Sequence, residues 1–173
     1  MPACHGRRFH SAGRKGEWSM KEFFPGISKI GYEGPKSRNP LSFKYYDPEK
    51  VVAGKTMKET LKFAMSYWHT LCGEGVDMFG AGTADKTFGG TAEMEVYQNK
   101  VYAGFELMHK LGIEYFCFHD KDIAPEGRNL RTFQENLDAI VPLIKEQMQK
   151  YGIRLLWGTA NCFNNPRYVH GAG

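Results

Sequence analysis

The sequence lacks any long apolar run and contains little cysteine. None of its 173 residues belong to an uninterrupted apolar stretch of about 18 residues, so no transmembrane helix and no membrane partner are predicted. It also has no secretory signal and no C-x-x-C spacing. Free cysteine behaves as a small hydrophobic residue, and we expect a reduced, cytoplasmic protein. The four cysteines are Cys4, Cys72, Cys117 and Cys162.

Excess charge is equally scarce. The net charge is only +4, and residues 1–20 supply most of it through four basic residues against one acidic residue. The remaining chain is therefore almost neutral, which argues against a basic face that binds nucleic acid. No Gly-x-Gly-x-x-Gly motif follows a predicted strand, so a dinucleotide-binding site is disfavoured as well.

What is present predicts one folded domain with a different N-terminus. Hydrophobic residues make up 42% of the chain and aromatic residues 14%, enough for a substantial core. Residues 1–19 are rich in Gly, Arg and Ser without periodicity, and we expect a disordered leader, with a transit peptide as the alternative. Residues 23–55 are interrupted by Gly, Pro, Asn and Ser, which predicts an extended arm.

Helices and strands alternate in the rest of the chain. Apolar residues at helical spacing predict a helix from 91 to 111 with Thr91 as N-cap, and a second helix from Asn129 to Gly152. Short apolar runs at 113–119 and 153–159 predict strands buried on both faces. Residues 61–72 fit either a helix or a strand. This order predicts parallel βα units, either in a barrel or in a doubly wound sheet.

Polar and aromatic residues follow the two predicted strands, at the ends where parallel α/β proteins carry their active groups. His119 ends the first strand and Asp122 follows three residues later, which favours an imidazole–carboxylate pair or, equally, a loop-bracing hydrogen bond. Trp157, Thr159 and Phe163 at the second strand could pack against a sugar. Taken alone, these three residues fit a core with a polar cap better.

Several long segments resemble xylose isomerases. FCFHDKDIAPEG at 116–127 resembles the catalytic segment of their second strand, and LLWGTANCFNNPRYVHGA at 155–172 resembles that of the third strand. FAMSYWHT at 63–70 and DMFG at 77–80 are similar to the first strand and its loop, and residues 32–50 to the arm of the longer-chain class. The match runs from about residue 20 to 172, so residues 20–173 resemble the N-terminal portion of that enzyme.

The resemblance implies a partial (β/α)8 barrel, about three βα units preceded by an extended arm. Residues 61–70 would then form the first strand. Such barrels need about 250 residues, and we therefore expect 20–173 to be an isomerase domain truncated at its C-terminus. The full-length relatives are expected to form homotetramers.

The resemblance also implies a function and its residues. Xylose isomerases convert D-xylose to D-xylulose, and glucose to fructose, by ring opening and a hydride shift assisted by two divalent cations, Mg²⁺ or Mn²⁺/Co²⁺. His119 would assist ring opening and Asp122 would orient it. The sugar pocket would be lined by Trp68, Trp157, Thr159, Phe163 and, towards a neighbouring subunit, Phe79.

The metal ligands of the family would lie in later strands, so we expect no metal ligands in this chain and no activity of the chain alone. Asp77, Asp85, Glu93 and Glu95 are interpreted as loop and helix-start residues. Two alternatives stay open. One is a non-catalytic product that acts only in assembly, and the other is a metal-dependent endonuclease or phosphoesterase of the xylose-isomerase-like superfamily.

Overall fold

The computed structural model describes residues 21–162 as a mixed α/β structure. The expected leader, residues 1–19, and Phe163 lie outside the described residues. The chain forms a π-helical turn at Trp68–Cys72. In chain order the elements are β1 (Val51–Val52), β2 (Lys55–Thr56), α1 (Met57–Thr60), β3 (Ala64–Ser66), α2 (Glu93–Leu111), β4 (Tyr115–His119), α3 (Asp120–Ile123), α4 (Leu130–Tyr151) and β5 (Arg154–Thr159).

The prediction of parallel βα units is confirmed. Strands β3, β4 and β5 form one parallel sheet in that order, with α2 connecting β3 to β4 and α4 connecting β4 to β5. Within residues 21–162 the sheet has three strands and does not close into a barrel. The remaining two strands, β1 and β2, form a small antiparallel hairpin.

The strand boundaries differ from those predicted. The strand predicted at residues 61–70 is limited to β3, Ala64–Ser66, because the chain enters the π-helical turn at Trp68. Strand β4 begins at Tyr115 instead of residue 113. The prediction that β5 is buried on both faces is wrong, because all six of its residues are exposed. Strand β5 lies at the edge of the sheet and pairs only with β4.

Local side-chain contacts explain where the long helices start and stop. Helix α2 begins one residue later than predicted because Ala92, not Thr91, is the N-cap, and the Glu95 carboxylate accepts hydrogen bonds from both their backbone N–H groups. Asn129 caps α4 as predicted, accepting from the Thr132 backbone N–H at 3.0 Å. Gly112 and Gly152 end the two helices with φ values of 71° and 67°, which glycine adopts without steric cost.

The core lies between the sheet and the two long helices. Phe116 of β4 is fully buried and meets Phe105 of α2 edge to face, with ring centroids 5.3 Å apart. Ile140 and Ile144 of α4 complete this layer from the other helix. No helix within residues 21–162 has the length and apolar character needed to cross a membrane.

The extended arm is attached to α2 through charged hydrogen bonds. The backbone N–H groups of Phe23 and Phe24 donate to the Glu106 carboxylate at 2.7 and 3.0 Å. Lys110 Nζ donates to the Phe24 carbonyl at 2.6 Å and lies 2.7 Å from Glu106. The Ile30 N–H bonds the Lys110 carbonyl at 2.8 Å. One turn of α2 therefore holds the beginning of the arm.

We predict that Phe116→Ala lowers the free energy of unfolding by about 3–5 kcal/mol, because it leaves a cavity beside Phe105 that the packed helices cannot fill. Phe79→Ala is the matched control, since Phe79 is 89% exposed and its removal should change stability by less than about 0.5 kcal/mol. Urea unfolding followed by circular dichroism measures both. Equal losses in the two variants would contradict the assigned core.

We predict that the arm detaches from α2 in acid. Burial alone would raise the pKa of Glu106, but the hydrogen bonds from Lys110, Phe23 and Phe24 outweigh it and place the pKa below its usual 4.5. A lowered pKa contributes stability at neutral pH, which is lost as the pH falls below 4.5 through the pKa of the folded state. Amide hydrogen exchange at Phe23 and Phe24 should accelerate over that interval.

The variant Glu106→Gln should accelerate the same two amides roughly tenfold at pH 7, because the charge that holds them is gone. Glu135→Gln on the exposed face of α4 removes the same charge elsewhere and should leave them unchanged. Exchange at these amides that is unchanged in Glu106→Gln would contradict the proposed attachment.

Candidate functional site

The carboxyl ends of β4 and β5 lie side by side. His119, the last residue of β4, is the register partner of Thr159, the last residue of β5. Helix α3 begins at the next residue, Asp120, so the chain turns away immediately beyond the strand. This is the edge at which a parallel sheet presents its functional side chains.

His119 and Asp122 form the imidazole–carboxylate contact. His119 Nδ1 lies 3.1 Å from Asp122 Oδ2, and the same oxygen accepts the His119 backbone N–H at 2.8 Å. Only 16% of the His119 side chain and 7% of the Asp122 side chain are exposed. Because the acceptor is a carboxylate oxygen, Nδ1 carries the proton and Nε2 is the acceptor nitrogen of the neutral ring.

Two tryptophan rings surround this histidine. The Trp68 centroid lies 4.8 Å from that of His119, and the Trp157 ring meets His119 nearly edge on at 5.7 Å. The tryptophans are 5.5 Å apart, and Trp157 is 40% exposed. We call these three rings the aromatic cluster. Aromatic faces around a polar nitrogen suit a ligand with C–H faces and hydroxyl edges.

The rims of the two strands are joined by Asp120. Its Oδ1 accepts the Asn161 backbone N–H at 2.9 Å and the Lys121 N–H at 2.8 Å. One carboxylate oxygen therefore connects the segment after β5 to the start of α3. This contact is hard to predict from the sequence, since an aspartate that follows a strand is a common turn residue.

A second group of residues lies behind the pair and was missed from the sequence. The Cys72 thiol donates to the Asp122 carbonyl at 3.5 Å, and Lys100 Nζ approaches Cys72 Sγ at 3.9 Å. Lys100 is only 9% exposed and also lies 4.8 Å from the Tyr97 ring centroid. Lys100 is located on α2, where a single lysine in sequence is indistinguishable from a surface residue.

Burial dominates the acid–base behaviour of this group. It raises the pKa of the Cys72 thiol to about 11 and that of the Tyr97 hydroxyl to about 12, so both groups keep their protons at neutral pH. A cavity of about 600 Å³ opens beside Cys72, Lys100 and Asp122. This cavity does not include the rings of the aromatic cluster.

The remaining predicted residues are Phe79, Thr159 and Phe163, and Phe79 is not brought together with the pair. Phe79 is 89% exposed on a turn that Asp77 closes by accepting the Phe79 N–H at 2.7 Å. Its ring therefore packs against none of the aromatic cluster. Thr159 is in register beside His119 but exposed, and Phe163 lies outside the described residues. The roles of all seven residues remain predictions.

The described residues do not fit a cation centre. Within residues 21–162, no group of three or more histidine, cysteine, aspartate or glutamate side chains is arranged to hold a metal ion. The carboxylate of Asp122 is occupied by His119, and that of Asp120 by two backbone N–H groups.

Comparison with known proteins identifies relatives over almost the whole chain, although no protein-family model matches it. A xylose isomerase of Bacteroides thetaiotaomicron is 52% identical over 155 residues, which cover 89% of this chain and 35% of the relative. One from Phocaeicola vulgatus has the same identity and coverage. One from Listeria welshimeri is 53% identical over 150 residues, 87% of this chain and 34% of the relative.

The chain thus spans about a third of the length of the curated relatives it matches. A match of 150 residues or more within a chain of 173 includes the His119–Asp122 pair and Trp68. Identity of this level over nearly all of the chain means that the chain belongs to the xylose isomerase family.

Proposed function

We propose that this chain is part of an aldose–ketose isomerase that converts D-xylose to D-xylulose, and glucose to fructose. The observation that carries the proposal is the His119 ring, fixed by Asp122 and enclosed by Trp68 and Trp157 at the carboxyl edge of the sheet. The relatives that share this region are named xylose isomerases. The metal-dependent endonuclease alternative has no observation in its favour.

His119 is assigned the proton transfer that opens the sugar ring. Its Nε2 accepts the proton of the anomeric hydroxyl as the C1–ring-oxygen bond breaks, and then returns the proton to the former ring oxygen. The aldehyde forms at C1 with no net gain or loss of protons. Asp122 keeps Nδ1 protonated and stabilises the imidazolium that exists between the two transfers.

The aromatic cluster is assigned to sugar binding. Trp68 and Trp157 cover the C–H faces of the sugar, and Thr159 and Phe163 extend the pocket beyond the end of β5. The isomerisation moves the C2 hydrogen to C1 as hydride and the O2 proton to O1, so that aldose and ketose contain the same atoms. A hydride must not meet water, and flanking aromatic rings exclude it.

The larger assembly belongs to the same proposal. Three parallel strands with an exposed outer edge at β5 are consistent with the first part of a (β/α)8 barrel. We expect a cytoplasmic homotetramer in which the exposed Phe79 reaches the pocket of a neighbouring subunit. The resemblance also implies two divalent cations, Mg²⁺ or Mn²⁺/Co²⁺, with ligands outside residues 21–162.

We predict that the purified 173-residue chain has no isomerase activity with D-xylose, with or without Mg²⁺, because its described residues provide no cation site. The measurement is D-xylulose formation over several hours at increasing Mg²⁺ concentrations. A catalytically active relative of full length is the positive control. Magnesium-dependent turnover by the pure chain would contradict the assignment of the ligands to other parts of the protein.

We predict that His119→Ala, in a protein extended to the length of the relatives, slows ring opening by about 10²-fold or more. The rate on substrate supplied in the open-chain form should change much less, because only the ring-opening proton transfer is lost. His109→Ala on the exposed side of α2 is the matched control. Equal losses on the ring and open-chain forms would contradict the role of His119.

A further inference from the structure

We propose that Lys100 is a positioning residue that holds the His119–Asp122 pair through Cys72. Any effect of Lys100 on catalysis rests on the proposed function, because that proposal assigns the pair its catalytic role. The positional claim concerns the folded chain alone and can be tested without substrate.

The contacts form one continuous path from α2 to the histidine. Lys100 Nζ approaches Cys72 Sγ at 3.9 Å, and the thiol donates to the backbone carbonyl of Asp122 at 3.5 Å. The Asp122 carboxylate then accepts both N–H groups of His119, at 2.8 and 3.1 Å. Each step joins a different element: α2, the π-helical turn, α3 and β4.

The directions of these hydrogen bonds are fixed by chemistry. An ammonium group has only donors, so the Cys72 sulfur must accept from Lys100. Burial raises the pKa of Cys72 to about 11, so the sulfur keeps its own proton and can donate it to the Asp122 carbonyl. Lys100 therefore orients the Cys72 thiol, and the thiol in turn holds the backbone carbonyl of Asp122.

Burying the Lys100 ammonium costs desolvation free energy, and packing alone would not require a charged group at this position. Lys100 is 9% exposed, its ammonium contacts a thiol and the face of Tyr97 at 4.8 Å, and it has no ion pair within 4 Å among the described residues. Neither contact compensates a charge as fully as a carboxylate does. A methionine of similar length would fill the same space at lower desolvation cost. We therefore infer that the ammonium serves to orient Cys72, at a cost in stability.

The experiment compares local and global opening in the 173-residue chain. Hydrogen exchange is measured by NMR at two protons of His119, the backbone N–H and the ring Nδ1–H, and at the core amides of Val101 and Phe116. In Lys100→Met we expect the two His119 protons to exchange about tenfold faster. The free energy of unfolding should be unchanged or higher, because a buried charge is removed.

Four further variants separate positioning from packing. Lys100→Arg should restore slow exchange at His119, and Lys145→Met on exposed α4 should have no effect. Cys72→Ala should accelerate exchange of the two His119 protons even though Lys100 is still present. In the double variant Lys100→Met/Cys72→Ala, exchange at His119 should be only slightly faster than in the faster of the two single variants, since both residues act along one path.

Two results would overturn the inference. One is unchanged exchange at His119 in Lys100→Met. The other is acceleration at His119 by the same factor as at Val101 and Phe116, which would assign Lys100 to the fold alone. Because no sugar is present, failure of the isomerase proposal would leave this outcome unaffected. In an active full-length protein, Lys100→Met should lower kcat with KM retained.

Discussion

Oδ2 of Asp122 accepts two hydrogen bonds from a single residue, the backbone N–H and the ring nitrogen of His119. This double contact fixes both where β4 ends and how the imidazole is turned. It also begins α3, because Asp122 is the third residue of that helix and its carboxylate accepts a hydrogen bond from the N-cap residue, His119. The rest of the candidate site, including the aromatic cluster, depends on a histidine ring that is held in one orientation.

The position of Trp68 depends on a different constraint, the π-helical turn that follows β3. A π-helical turn brings residues about four to five apart to the same side of the backbone. Trp68 at its start contacts His119, and Cys72 at its end contacts the Asp122 backbone. Both ends of one turn thus contact the two members of the same pair. Short π-helical turns are frequent at functional sites for this kind of reason.

The sequence was sufficient for the elements that local rules determine. Helical periodicity and the caps at Asn129, Gly112 and Gly152 placed both long helices to within two residues, and the parallel order of the strands followed from their alternation. Burial of β5 was predicted wrongly, because an apolar strand has the same composition whether or not other elements cover it. Within residues 21–162, β5 lies at an edge.

For the site, the strand-end rule and a family resemblance indicated His119, Asp122, Trp68 and Trp157, which the fold brings together. Neither could indicate Lys100 or Cys72. Their contacts join residues far apart in the chain, and each residue by itself has an ordinary alternative, on a helix surface or in a core. The roles of Thr159, Phe163 and Phe79 depend on chain or subunits beyond the described residues, which spacing cannot supply.

Two unfavourable polar features lie behind the same pair, and a third, the unpartnered Gln147 Nε2 among the described residues, lies on α4. Lys100 is a buried charge, and the fully buried Tyr67 hydroxyl has no hydrogen-bond partner among the described residues. Burial raises the pKa of Tyr67 well above its usual value, and Cys72 and Asp122 act in the same direction, so the phenol stays protonated beside them. Polar groups with incomplete partners cost stability in a fold and persist where geometry matters more than stability. Lys100 contacts Cys72, and Tyr67 lies close enough to Cys72 and Asp122 for both to raise its pKa, which supports a functional origin for this part of the arrangement.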